Sequence, residues 1–229
     1  MLPAQAGADA ALQRVFDLTR MQLNCEQVAP LLQQGMNAEQ QKTLGEAFAA
    51  GPFCEDLLQR TSARLEPGQS EAAVKLLESP LAEHFAAAER AVGFDGDLAT
   101  YAQQLKERPP LGKRIELVRR LDKAAYSSEL LALLHYEAGK TRALVNLRAS
   151  GSDLDEKALT EQSAGQLPEL QASSVAFVEP IMLYAYRRTP SDQLAEYAAL
   201  YEQPALHAVR RAIIEALPEV FAARRAQLK

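Results

Sequence analysis

Apolar residues recur along nearly the whole chain at three- and four-residue spacing, and no segment shows sustained Val/Ile/Thr alternation, so the pattern predicts helices and no strands. Leu12, Val15, Phe16, Thr19 and Leu23 form one stripe, after which Asn24, with Gln27 three residues on, reads as a cap before Val28, Leu31 and Leu32. Gly35-Met36-Asn37 closes that piece. Asn37 with Gln40 caps a helix carrying Leu44, Ala47 and Phe48, which is expected to stop at Gly51-Pro52. From Phe53 a helix with Leu57, Leu58 and Leu65 runs to the Glu66-Pro67-Gly68 turn, and a short one with Ala73, Val74 and Leu77 follows. Ser79-Pro80 restarts the chain as cap and first helical residue, where proline's missing N–H is harmless and its fixed φ suits the helix. The helix of Leu81, Phe85 and Ala88 ends at Gly93-Phe94-Asp95-Gly96, and a further one with Leu98, Tyr101 and Leu105 leads to Pro109-Pro110, the predicted boundary between two halves.

The second half echoes the first. Residues 53–91 align with 177–215 at a constant offset of 124 without a gap, matching at 8 of 39 positions, among them Phe53/Phe177, Glu55/Glu179, Glu78/Glu202 and Pro80/Pro204. The Glu-x-Pro punctuation falls between helical patterns in both copies. Ile115, Val118 and Leu121 answer Leu12, Val15 and Leu18 at an offset of 103, and Glu129 answers Glu26, so the second copy holds 21 additional residues, placed in the polar stretch 150–168. Beyond it a helix from about Glu169 to Arg188 is expected to kink at Pro180, Thr189-Pro190-Ser191-Asp192 caps the next, and Pro204 opens the last, with a bend at Pro218. The expected architecture is all-α: tandem multi-helix repeats over 8–108 and 111–229, packed about a pseudo-twofold axis into one globular unit, because each copy alone is small and presents apolar stripes that need a partner.

Leu76-Leu77-Glu78-Ser79-Pro80-Leu81-Ala82 and Leu200-Tyr201-Glu202-Gln203-Pro204-Ala205-Leu206 resemble the signature of the bacterial exported helical family catalogued as domain of unknown function 2059, an acidic helix ending in aromatic-x-Ser-Pro-x-Gly. The first copy keeps Ser-Pro but has Leu77 and Ala82 at the aromatic and glycine places. The second keeps Tyr201 but has Gln203 and Leu206. The resemblance covers about the last third of each half and implies an all-helical exported protein of unassigned activity.

Composition narrows the function classes. With 48% hydrophobic and 24% charged residues the chain is ordinary for a globular protein, and a formal net charge of −5 disfavours nucleic-acid binding, which needs a concentrated Lys/Arg surface. No stretch approaches the roughly 20 apolar residues of a membrane-spanning helix. Residues 1–7 read as a flexible start, and Ala4-Gln5-Ala6 has the small-x-small spacing of a signal-peptidase site, which points to the remnant of a cleavage region and a periplasmic location; an alanine-rich start of a cytosolic protein is the alternative.

Candidate chemistry is sparse. Cys25 and Cys54 are the only thiols and fall near helix starts; an exported chain favours their disulfide, while two unpaired core thiols or, without a Cys-x-x-Cys, redox chemistry are the other readings. His84, His135 and His207 show no ligand spacing, so no metal is expected, although His84 and His207 occupy nearly matching places in the copies. No phosphate-binding loop, nucleophile elbow or zinc-protease motif is present, and no cofactor is expected. Residues 1–100 hold no tyrosine, whereas the rest holds all seven, predicting a wetter aromatic surface in the second copy.

Tyr184, Tyr186, Arg187 and Arg188, with Tyr197 and Tyr201, are the expected ligand or partner surface, against the plainer reading of tyrosines at a core edge and arginines in solvent. Glu78, Ser79, Pro80, Glu202, Gln203 and Pro204 form the repeat signature. Glu55 and Glu179 are expected near helix starts, where they complement the helix dipole. The leading expectation is a non-enzymatic periplasmic interaction or adaptor protein with an unknown protein partner and room for a homodimer. The alternative is a binder of a small apolar or anionic ligand in a groove between the repeats; an enzyme without recognisable motif comes third.

Overall fold

The computed structural model describes residues 3–93, 96–152 and 154–228, with backbone alone for residues 3–9 and 96. All regular structure among them is helical. The first half contains α1 (Pro3–Leu18), α2 (Met21–Gln33), α3 (Ala38–Ala47), α4 (Ala50–Ser62), α5 (Gln69–Leu77), α6 (Pro80–Arg90) and α7 (Gly96–Glu107). The second contains α8 (Gly112–Ala125), α9 (Ser127–Ala149), α10 (Glu156–Ser163) with a 3-10 turn at Ala164–Gln166, α11 (Leu167–Ala185), α12 (Ser191–Tyr201) and α13 (Pro204–Arg225). No described helix is long and apolar enough to cross a membrane.

Much of the local punctuation follows the chemistry of the residues. Asn37 and Gln40 form a reciprocal capping box at 2.9 and 3.0 Å. Ser79 accepts from the Ala82 N–H with Pro80 at the first helical position. Gly35 and Gly68 turn the chain at φ of 74° and 85°, where a Cβ is disfavoured. Residues 1 and 2 of the expected flexible start, Phe94 and Asp95 of the α6–α7 turn and Asp153 of the polar stretch lie outside the described residues, and from Pro3 the backbone is helical.

Four expected placements change. The stripe through Leu23 does not continue as one helix: α1 ends at Leu18, Arg20 takes a left-handed conformation at φ 57°, and Leu23 is left 41% exposed on α2. Asn24 is therefore no cap but lies inside α2, its amide near the Met21 sulfur. Gly51-Pro52 does not stop a helix; it belongs to the first turn of α4, where an N–H has no intrahelical acceptor and proline loses nothing. Glu179 sits deep within α11 rather than near its start and pairs with Arg119 at 2.6 Å. Helices α11 and α13 continue through Pro180 and Pro218.

The two halves pack with corresponding partners. α1 lies on α5 as α8 lies on α12, and α2 lies on α4 as α9 lies on α11. Tyr126 between α8 and α9 adopts φ 56°, ψ 31°, nearly the angles of Arg20 between α1 and α2. Each first helix is clamped to its partner at the same place: Arg14 to Glu78 at 2.8 Å and Arg120 to Glu202 at 2.6 Å, both acids being the residue that ends α5 or α12. Arg14 thus corresponds to Arg120, whereas the offset of 103 matched it to Leu117. Matched by these contacts, the two first helices align one helical turn further on than the offset of 103 sets them. A slip of one turn keeps every apolar residue on the same face, so periodicity could not detect it.

One apolar core runs through both halves, from Leu12, Phe16 and Phe53 to Leu194, Val209 and Phe221, all at most 1% exposed. The Cys25–Cys54 disulfide fastens α2 to α4, and no described cysteine is free. Helix α13 stitches the halves together. Phe221 packs against Phe48 and Phe53 with ring centroids 5.5 and 5.2 Å away. Arg224 donates to the Ala47 and Pro52 carbonyls and to Asp56, the Ala47 carbonyl being an acceptor that the end of α3 leaves free. The buried Arg225 binds Glu137 at 2.6 Å, the Thr141 hydroxyl at 3.1 Å and Glu156 at 2.5 Å, so the polar stretch holding α10 is pinned to the core.

Candidate functional site

A cleft of about 770 Å³ lies between the halves. It exists because several helices present alanine where a larger side chain would fill the space: Ala82 and Ala86 on α6, Ala125 at the end of α8 and Ala185 at the end of α11. Leu121, Val178, Ile181 and Met182 complete an apolar wall. Arg14, Asp17, Arg20, Glu83 and Arg90 stand around it as charged lining. The left-handed Arg20 is among them, but Tyr126 repeats its conformation at the corresponding junction, so this geometry belongs to the fold and does not by itself mark a site.

The innermost part is polar. Phe85 and Tyr197 stack at 4.0 Å between centroids, Tyr186 packs on Phe85 at 5.1 Å, and Tyr201 meets Tyr197 edge-on at 5.2 Å. The hydroxyls of Tyr186 and Tyr197 donate to one oxygen of Glu89 at 2.6 and 3.2 Å. Burial holds the phenols of Tyr186 and Tyr197 well above their ordinary range and raises Tyr201 as well, so all three are neutral hydroxyls near pH 7. Glu89 opens to the cleft, yet protein crowds it closely enough that desolvation raises its carboxyl above the usual range; the two tyrosine bonds and the charges of Arg210 and Arg90 oppose that rise.

Arg210 on α13 closes the other side. Its residue is 8% exposed, and its Nε donates at 2.8 Å to the Ala125 carbonyl, one of the acceptors left free at the end of α8. Its two terminal amino groups have no hydrogen-bond acceptor among the described residues, and no described carboxylate lies within ion-pairing distance. Desolvation lowers its pKa, partly countered by Tyr201, Tyr197 and Glu89, but a guanidinium stays charged.

Tyr186, Tyr197 and Tyr201 of the expected surface therefore meet at this cleft, and they are buried and partnered rather than a wet aromatic surface. Tyr184, Arg187 and Arg188 are placed elsewhere. Tyr184 packs edge-on against Tyr101, Arg187 stacks 3.7 Å over the Tyr184 ring and donates to the Tyr184 carbonyl, and Arg188 is exposed. Consecutive helical residues point apart, so a dense run in sequence splits in space. Glu78 and Glu202 sit in their separate Arg pairs, Pro80 and Pro204 open α6 and α13, and Gln203 leans on the Ala199 carbonyl at 3.4 Å. His84 and His135 are exposed, while the His207 ring shares a hydrogen bond with Tyr126 at 2.9 Å. No described group of His, Cys, Asp or Glu residues is arranged to hold a metal ion.

Glu89 and Arg210 went unnoticed in the sequence, although a signal existed. Arg210 continues the buried stripe Leu206–Ile213–Leu217, a charge on the apolar face of its helix, and Glu89 follows Ala82 and Phe85 at helical spacing while opening to the cleft. A second cluster has the same signature: Glu137 and Lys140 are buried on α9 and meet Arg225 and Glu156, but every charge there is paired within the protein. The cleft differs from it in holding a buried cation, Arg210, with no described carboxylate paired to it. Comparison of the chain with family models, with curated proteins and with solved structures finds no match.

Proposed function

We propose that the protein is a binding protein for a small, largely apolar molecule held in the cleft between its two halves. The observation that carries this reading is a cleft of about 770 Å³ with apolar walls and a tyrosine-lined inner end, within the range that encloses ligands of drug size. An adaptor role has less support: the large exposed apolar residues are only Leu23, Leu111, Val175 and Phe177 among those described. Catalysis has the raised carboxyl of Glu89 in its favour, but one oxygen of that carboxyl already accepts from two tyrosines. The disulfide, Ala4-Gln5-Ala6 and the Glu-Ser-Pro signature at 78–80 together support an exported, periplasmic member of the family resembled, with two diverged copies of one helical unit.

Fluorescence titration with N-phenyl-1-naphthylamine, a neutral apolar probe, tests the reading. Saturable binding that is lost in Ala86→Phe, which fills the cleft while keeping the surface intact, is the expected result. No binding, or binding indifferent to Ala86→Phe, would sink it.

A further inference from the structure

We propose that Arg210 is an anchor for an oxyanion, so that the ligand of the cleft is an apolar body carrying one acidic head group, a carboxylate or an equivalent sulfate or phosphate ester. This rests on the small-ligand reading above and narrows it to a chemical class. The argument begins with what the fold spends on Arg210. Withdrawing a guanidinium from water is costly unless its donors are satisfied, and proteins normally pair buried charges, as this one does with Arg225. Arg210 is 8% exposed and lines the cleft, and only its Nε has an acceptor, the Ala125 carbonyl; its terminal amino groups keep the little accessible surface that a ligand can reach.

That single bond has a geometric effect. It holds the guanidinium plane by one edge, which leaves the two terminal amino groups together on the edge that a planar oxyanion can bridge with two parallel bonds. The nearest carboxylate able to compensate, Glu89, is not within ion-pair distance, because its oxygen is held by the hydroxyls of Tyr186 and Tyr197 on the same inner wall. A cation that faces an apolar cleft with two free donors lacks one component, and a ligand's anionic end supplies it. The apolar wall of Leu121, Ile181 and Met182 then receives the remainder of the molecule.

A displacement assay decides the matter on the intact protein. With N-phenyl-1-naphthylamine in the cleft, dodecanoate, dodecyl sulfate, dodecanol and dodecylammonium are compared as competitors below their micellar concentrations. Both anions should displace the probe at concentrations at least about tenfold lower than the alcohol or the amine, as a charge-assisted bidentate pair implies. In Arg210→Gln the anions should lose that advantage while probe and dodecanol bind as before, and Arg210→Lys should keep part of it. If the probe binds but the four head groups compete equally in the wild type, the anchor is wrong and the apolar cleft survives. Should Arg210→Gln bind dodecanoate as tightly as the wild type, the anchor is equally wrong. Failure of the probe to bind at all overturns both readings. The wild-type head-group series stands even where Arg210→Gln does not fold. If dodecyl sulfate binds and dodecanoate does not, the acidic head is a sulfate or phosphate ester rather than a carboxylate, and the anchor stands.

Discussion

Phe85 and Tyr197 stack nearly face to face, with centroids 4.0 Å apart and planes 17° from parallel, one ring from each half of the chain. Phe85 is fully buried and Tyr197 2% exposed, so this pair lies in the shared core and not at a docked boundary between two independent cores. Residues 1–108 produced alone should therefore expose Phe85 and the faces of α4 and α5 that α13 covers. The expected outcome is a fragment without a cooperative thermal transition, measured by circular dichroism; a sharp transition in the fragment would show that the halves are separate domains.

Glu89 offers a pH test with a defined sign. Desolvation by the surrounding protein raises its folded carboxyl above the usual carboxylate range, so the folded chain holds this proton to higher pH than the unfolded chain does. Its stabilising contribution is complete below about 4.5 and is lost as pH climbs through the folded value, since the side with more bound protons is favoured by acid. Glu89→Gln can still accept from Tyr186 and Tyr197 but does not titrate. Urea midpoints of the two proteins should lie closest at pH 4 and move apart in favour of the variant toward pH 7.5. Parallel curves across that range would contradict the desolvation of this carboxyl.

Arg225 is 1% exposed and faces Glu137, itself 1% exposed. Removing one partner of such a pair strands the other in the core at a cost of about 3–5 kcal/mol. Arg225→Met should lose about that much in chemical denaturation, and Arg225→Met with Glu137→Met should lose much less than the two single changes added together. The pairing of Arg225 with Glu156 also predicts a local effect. Hydrogen bonds from Arg225 and Lys140 hold the Glu156 carboxyl below its ordinary range despite burial acting the other way, so its contribution is present above about pH 4.5 and fades as pH falls below it. Hydrogen exchange of α10 should accelerate there before that of α13.

The disulfide is the simplest stability handle. Cys25 and Cys54 close a loop of 29 residues, for which loop entropy predicts about 3–4 kcal/mol. Reductant, or the paired change Cys25→Ser and Cys54→Ser, should lower unfolding free energy by that order and leave N-phenyl-1-naphthylamine binding intact in the folded protein, because neither cysteine lines the cleft. Loss of probe binding from a still-folded reduced protein would place the bond in the site's own support.

The all-helical class and several of its stops were legible from residues whose chemistry acts locally: the Asn37–Gln40 box, Ser79-Pro80, Gly35 and Gly68. The breaks at Arg20 and Tyr126 were not, because a left-handed conformation at a large non-glycine residue is imposed by packing and leaves no composition signal. Tyr186, Tyr197 and Tyr201 stand out in the sequence as aromatic residues, but what joins the first two is a carboxylate from the other half, Glu89, with Tyr201 reached through the Tyr197 hydroxyl, and a pairing across more than 90 residues has no sequence periodicity to reveal it. Arg210 was readable in principle as a charge within an apolar stripe, yet beside Arg211 it looks like ordinary helix surface.

The alignment at an offset of 124 sets Ile213 opposite Glu89 and Ala86 opposite Arg210. A duplicated fold could have carried the acid and the base in both copies, giving two mirrored poles. Here each appears once, so the proposed anchor is one-sided: an amphipathic ligand would set its acidic head at Arg210 and its apolar body along Leu121, Ile181 and Met182, in one orientation and not the reverse.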